Sequence, residues 1–301
     1  MEQVFMTDVE IKKVRHLENI SIPLDNSKRK HLIFTGKNGS GKTSVIEALV
    51  RYFEYITSNG YEPYEKVIER CKEYSRRLDV LKNQADSNEK FSEINSTEQS
   101  MVVWKNDFEI WNSGAIAKIN AISILQNKFK QGNFIFAYYK DEREFLAETY
   151  KNIEKIEFQD KYGITENPGT KLTKYLVDLK ATQAFTKDKK KSEKIDKWFL
   201  TFENILKKIF DDDMLELKFN DETFQFSICE PDREPFDFNT MSRGYAAVLD
   251  IINDLIMRME ANSGLRTEFD MEGIVLVDEI ETHLHLELQK KILLILTTLF
   301  P

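Results

Sequence analysis

Cysteine is nearly absent: only Cys71 and Cys229 occur in 301 residues. They lie far apart, with neither metal-ligand nor redox spacing, so the chain is not a disulfide scaffold and reads as a protein with ordinary thiols in a reducing compartment. No apolar run reaches the roughly 18 residues that a membrane span requires. The opening stretch, MEQVFMTDVEIKKV, alternates polar and apolar residues without the apolar core of a secretory signal. The expectation is a cytoplasmic protein with no membrane partner. No internal repeat is visible. Excess positive charge is also missing: 51 Asp and Glu outnumber 43 Lys and Arg, for a formal charge of −8. That balance argues against a surface built mainly for nucleic acid, although a local basic stripe is compatible with it. What is present is apolar material, 41% of residues with 12% aromatic, enough to fill the core of one large or two small domains.

Periodicity supplies a coarse order of elements. Residues 3–14 and 18–24 alternate as strands, through Val4, Met6, Val9 and Ile11, then Ile20, Ile22 and Leu24. Residues 31–35 form a third apolar run that ends at a glycine loop. Residues 42–57 place Val45, Ile46, Leu49, Val50, Phe53 and Ile56 at helical spacing. Beyond them we expect a charged helix at 64–83, a polar loop at 84–100, a strand at 101–110, a helix at 114–130 and a strand at 133–139. Residues 143–210 read as charged and helical, broken near Asn167, Pro168 and Gly169. Strands follow at 214–219 and 223–229, then a helix at 242–260, a buried strand at 273–277 and a helix at 282–300.

Three segments carry chemistry. The first is GKNGSGKT, residues 36–43, a complete G-x-x-x-x-G-K-[ST] pattern. In such a loop Gly36, Lys37, Asn38, Gly39, Ser40 and Gly41 turn backbone N–H groups toward phosphates, and Ser44 extends the cradle into the helix. Lys42 is expected on the β- and γ-phosphates, and Thr43 on Mg²⁺. The alternative is a glycine-rich turn that matches by chance. An apolar run before it and an amphipathic helix after it weaken that alternative. The second segment, GIVLVDEIETHLH, delivers Asp278 and Glu279 to the C-terminal end of a strand, where open α/β sheets bind ligands. Asp278 is expected to hold Mg²⁺ and Glu279 to act as general base toward water; the alternative is a strand ending in an acidic turn. The third, MSRGYAAVLDII, puts Ser242, Arg243 and Gly244 at the start of an amphipathic helix, suited to an anion or simply to capping a core helix.

In this order the three segments resemble the ABC-type ATPase heads of the SMC, RecF and OLD group, including OLD-like and Septu-like ATPases of bacterial anti-phage systems. MSRGY stands where those heads carry LSxGE, and IVLVDE stands at their hhhhDE strand. The resemblance covers residues 1–57, 133–143 and 205–300. It implies an α/β fold: a P-loop ABC-type head with a mixed central sheet and N-terminal β-hairpins. The core would comprise 1–57 and 205–301 with strand 133–143, a lid-like insertion at 58–132 and a helical arm at 144–204. It implies ATP and Mg²⁺ as ligands, and a head-to-head homodimer or higher oligomer in which the P-loop of one copy faces Ser242, Arg243 and Gly244 of another. Arg15 matches an arginine of these heads that reaches phosphate; as a bare residue it reads equally as a hairpin surface charge. NFIFAYYKDERE stands at their Q-loop without the glutamine, leaving Lys140, Asp141, Glu142 and Arg143 as candidates near the metal.

His283 and His285 are spaced for different helix faces, not for a shared metal. They fall at the D-loop, whose aspartate is missing, with His285 or Glu287 nearby. The switch-histidine strand of these heads is also missing, so we expect a fragment of a longer protein that hydrolyses ATP poorly alone. Lys187, Lys189, Lys190, Lys191, Lys194 and Lys197 form a basic run, read as a solvated helical face before a DNA contact. The leading functional expectation is an ATPase whose ATP-driven assembly gates a partner effector, a nuclease, in bacterial defence. The alternatives are a DNA-clamping repair ATPase and an ATP-assembled scaffold with little turnover.

Overall fold

The computed structural model describes residues 3–83, 88–143, 153–231, 233–265 and 269–300. The chain divides into two compact units, Met1–Asn127 and Lys128–Pro301. Seven strands and eight α-helices are assigned among the described residues.

In the first unit, β1 (Met6–Val14) is the middle strand of an antiparallel sheet, with β2 (Leu17–Pro23) on one edge and β3 (Ala115–Ile119) on the other. Val9 pairs with Ala117 and Ile11 with Ala115, and all four side chains are buried. This pairing puts four apolar side chains on one face of the sheet. α1 (Lys42–Thr57) packs on β1 and β3, burying Val45, Ile46, Leu49, Phe53 and Ile56. Its apolar residues recur every three or four positions, so one stripe of the helix meets the sheet. Each fully buried aliphatic or aromatic side chain contributes about 1.5–3 kcal/mol.

Helices α2 (Tyr64–Asn83) and α3 (Asn88–Asn112) run antiparallel. Tyr64 Oη donates to Asn112 at 2.7 Å, and Cys71 Sγ reaches the Trp104 carbonyl at 3.3 Å. Ion pairs Arg77–Glu93 and Lys82–Glu98 cross between the two helices. The expected loop at 84–100 is therefore helical from residue 88, residues 84–87 lying outside the described set. The strand expected at 101–110 belongs to the same helix. The helix expected at 114–130 is instead β3 followed by α4 (Ile122–Lys130), in which the division between the units falls.

The second unit is built around α7 (Arg243–Ser263), which buries residues on all sides, from Ala247 to Met259. α5 (Leu172–Phe185) and α6 (Lys189–Phe210) bring Leu176, Ile195, Trp198 and Phe202 into the same core. Asp188 caps α6 by accepting the N–H groups of Lys190 and Lys191. β4 (Ile135–Tyr139) and β7 (Gly273–Val277) pair in parallel, in register Ile135 to Gly273 through Tyr139 to Val277. β5 (Glu216–Asn220) and β6 (Gln225–Cys229) form a hairpin, and α8 (Leu286–Leu299) follows the turn after β7.

The class is mixed α/β, as expected. Among the described residues the strands form three sheets, of three, two and two strands, and not the one mixed central sheet anticipated. The run at 31–35 joins no ladder, and Ile33 is 62% exposed. β7 is only partly covered, with Ile274 buried and Val275 exposed, where a wholly buried strand was expected. Apolar content makes a segment able to be a strand, but burial and pairing depend on an edge supplied from elsewhere in the chain.

Candidate functional site

The first unit holds the glycine loop. The chain reaches Gly39 at φ 79° and Gly41 at φ 96°, both in the left-handed region that side chains disfavour. Gly41 is the N-cap of α1, whose first hydrogen bond runs from the Val45 N–H to the Gly41 carbonyl at 3.0 Å. A Cβ at Gly41 would lie 3.2 Å from Leu17 Cδ1, so the β1–β2 hairpin packs directly on the loop. Lys42 Nζ folds back across it, donating to the carbonyl of Gly36 at 3.0 Å and approaching that of Lys37 at 3.5 Å. No acidic residue lies in the first turn of α1. Its positive end, with the free N–H groups of every helix start, therefore keeps its attraction for an anion. Thr43 stands exposed in that first turn, with Ser44 half-buried beside it. Arg15 is exposed at the hairpin turn with φ 54°, next to His16, whose Cε1 lies 3.8 Å from the Cβ position of Gly41. The loop thus combines two left-handed glycines, an uncapped helix start and the Lys42 ammonium folded across it.

The second unit holds the acidic turn and the start of α7. The Asp278 N–H donates to the Tyr139 carbonyl at 2.8 Å, extending the β4–β7 pairing by one residue, and Asp278 is 2% exposed. Glu279 then takes a left-handed φ of 43°. Thr282 fastens this turn twice: its N–H donates to the Glu279 carbonyl at 2.9 Å and its hydroxyl to Glu279 Oε2 at 3.1 Å. Arg143 sits behind the turn. Its Nη1 donates to the carbonyls of Lys140 at 2.8 Å and Asp278 at 2.7 Å, and its Nη2 to that of Glu279 at 2.9 Å. Burial lowers the pKa of the guanidinium, while Asp250, Asp141, Asp278 and Glu281 favour its charge.

Ser242 and Arg243 are exposed, and the Ser242 side chain makes no capping hydrogen bond to α7. Gly244 is buried: a Cβ there would lie 3.0 Å from the His283 carbonyl and 3.7 Å from Leu284 Cα. The structure thus brings Ser242, Arg243 and Gly244 together with the loop that follows Asp278 and Glu279. His285 stands edge-on to Tyr245, with ring centroids 5.3 Å apart, and Tyr245 stacks on Phe210 at 4.2 Å. Glu287 is exposed and pairs with Lys290.

Two features escaped the sequence reading. One is the grip of Arg143 on backbone carbonyls, for which the sequence offers only its place just after a strand. The other is a charged network inside α7. Tyr139 Oη donates to Asp254, and Arg258 Nε donates to the same carboxylate at 2.7 Å. Arg258 also donates to the carbonyls of Phe136, Gly163 and Glu166. Burial raises the pKa of Asp254, against the pull of Arg258 and Tyr139. Glu260 accepts from Tyr175 and from Trp198. Asp250, Asp254 and Arg258, four residues apart in a mostly apolar helix, were the legible signal.

Among the described residues no group of three or more His, Cys, Asp or Glu side chains is placed to hold a metal ion. Of the donors anticipated for magnesium, the Thr43 hydroxyl is exposed at the start of α1 in the first unit, and the Asp278 carboxylate is buried in the second. No described helix is long and apolar enough to cross a membrane. No protein-family model matches the chain, and no curated protein matches it either.

Proposed function

We propose that the chain is a cytoplasmic ATP-binding and ATP-hydrolysing protein of the ABC type, whose ATP-dependent self-association gates a partner effector. The observation that carries the reading is the conformation of residues 36–43. Two left-handed glycines, a helix that begins at Lys42 without a capping side chain, and a lysine spanning the loop are what phosphate binding by backbone N–H groups needs. The loop takes the phosphates, Lys42 draws charge from the β- and γ-phosphates, and Arg15 supplies a further cation.

Bound magnesium would neutralise charge on the phosphate oxygens, with the Thr43 hydroxyl beside the loop as a protein ligand. Glu279 accepts a proton from water, and the Thr282 hydroxyl on its Oε2 holds the side chain in one orientation. Ser242, Arg243 and Gly244 serve as the anion-facing start of α7 toward a second copy. The effector is a nuclease supplied by another polypeptide or segment, since residues 1–301 carry no nuclease motif of their own.

Lys42→Ala tests the phosphate role. Binding of a fluorescent ATP analogue with magnesium should weaken at least tenfold, about 1.4 kcal/mol or more. Unchanged affinity would remove Lys42 and the loop from nucleotide binding.

A further inference from the structure

Arg143 occupies an unusual position for a charged side chain. It is 5% exposed, and its guanidinium donates to three backbone carbonyls: those of Lys140, Asp278 and Glu279. Its Nε has no hydrogen-bond partner among the described residues. A buried guanidinium costs desolvation energy, which several carbonyl dipoles and a nearby carboxylate offset. Asp250, on α7, is the largest of the charges that favour its cationic form, and it also accepts from Asn167 Nδ2 at 2.9 Å.

Two consecutive carbonyls, of Asp278 and Glu279, can reach one guanidinium together because Glu279 is in the left-handed conformation. That conformation is disfavoured for a non-glycine residue and persists only where neighbouring groups hold it. The planar fork of arginine, donating from two nitrogens in fixed directions, suits such a task; a lysine ammonium is a single point of donation.

We propose that Arg143 is a positioning residue: by holding the carbonyls of Asp278 and Glu279 from the end of β4, it fixes the turn that aims the Glu279 carboxylate. Asp250, on the helix that begins at Arg243, favours the charged form of the guanidinium. The inference rests on the ATPase reading only for what Glu279 does, not for how it is held.

The test uses the full 301-residue chain as wild type, Arg143→Lys and Arg143→Ala. Three quantities are read: affinity for an ATP analogue with magnesium, the turnover number for ATP, and hydrogen exchange of amides in residues 278–284 against those in the interior of α7. The expected result is analogue affinity within twofold of wild type and turnover reduced at least tenfold in both variants. Exchange should be faster at 278–284 and unchanged within α7.

Wild-type behaviour of Arg143→Lys in turnover and exchange would overturn the proposal, since charge alone would then suffice. A tenfold loss of analogue affinity would overturn it too, by making Arg143 a ligand-binding group, as would faster exchange spread evenly through the second unit. If wild type neither binds nor hydrolyses ATP, the ATPase reading fails, and the exchange comparison by itself still decides whether Arg143 holds the turn.

Discussion

Glycines in this chain do two physically different jobs, separable residue by residue. At Gly39 a side chain would have open space but would have to adopt φ 79°. At Gly169, in the 3-10 turn Pro168–Lys171, a Cβ would lie 2.6 Å from the Asp254 N and 2.8 Å from its Cα. Neither is the end of a flexible side chain that could move aside; both are backbone of the central helix α7. Gly169→Ala should therefore force the turn away from α7, costing about 1–3 kcal/mol as other overpacked sites do. The urea midpoint of unfolding reads this directly, and a midpoint equal to wild type would show that the turn yields freely. The motif at 36–43 made Gly39 legible as a conformational glycine. Gly169 was legible only as a helix break, because the surface it packs on comes from residues about 85 positions later.

Among the elements, the α2–α3 hairpin joins the first unit through an aromatic cluster. The Trp111 ring lies 5.7 Å from Tyr52, 6.4 Å from Tyr55, 6.4 Å from Tyr61 and 5.7 Å from Tyr64. Tyr55 Oη donates to the Glu62 carbonyl and accepts its N–H, each at 3.1 Å. Burial, with a smaller contribution from the Asp107 charge, pushes Tyr55 up to about 12. Its folded pKa thus exceeds the unfolded value near 10, so the folded state holds the proton more tightly. The contribution to stability is complete below about pH 10 and is lost as pH rises through 12. Tryptophan emission and protease sensitivity of α2 and α3 should change across that window. Constancy of both through pH 12 would contradict the assignment. The same hairpin explains where element reading failed. Residues 84–100 are polar enough to read as a loop, yet α3 is held by Arg77–Glu93 and Lys82–Glu98 and by burial of Thr97 and Met101. Ala115 to Ile119 has no strong preference of its own. The Lys12 N–H donates to the Gly114 carbonyl at the start of an antiparallel ladder on β1, and that pairing makes it a strand.

At the scale of the whole molecule, the proposed function predicts behaviour that neither unit reveals separately. Glu279→Gln keeps the size of the side chain and its contact with Thr282 while removing the base. ATP with magnesium should then still be bound, turnover should fall at least tenfold, and self-association should become more persistent. Sedimentation velocity with and without ATP reads the last of these, and phosphate release the second. Normal turnover by Glu279→Gln would remove it from the role of base, and an unchanged sedimentation coefficient would argue against ATP-driven assembly.

Local sequence determined the elements whose pattern is self-sufficient. α1 and α2 start and end where helical spacing of apolar or charged residues does, and β1, β2, β4, β5, β6 and β7 lie within a few residues of their alternating or apolar runs. The glycine loop at 36–43 belongs with them, since its conformation follows from glycines at fixed offsets and a helix start. Tertiary structure alone decided which runs pair: 31–35 remains outside any ladder, while 115–119 becomes the second edge of β1. It also decided that Arg143 grips the carbonyls of Asp278 and Glu279, and that Asp250, Asp254 and Arg258 are inside the molecule. A strand edge, a buried ion and a carbonyl clamp are each defined by a partner distant in the chain. No local pattern encodes that partner's position, because it exists only once the intervening residues have folded.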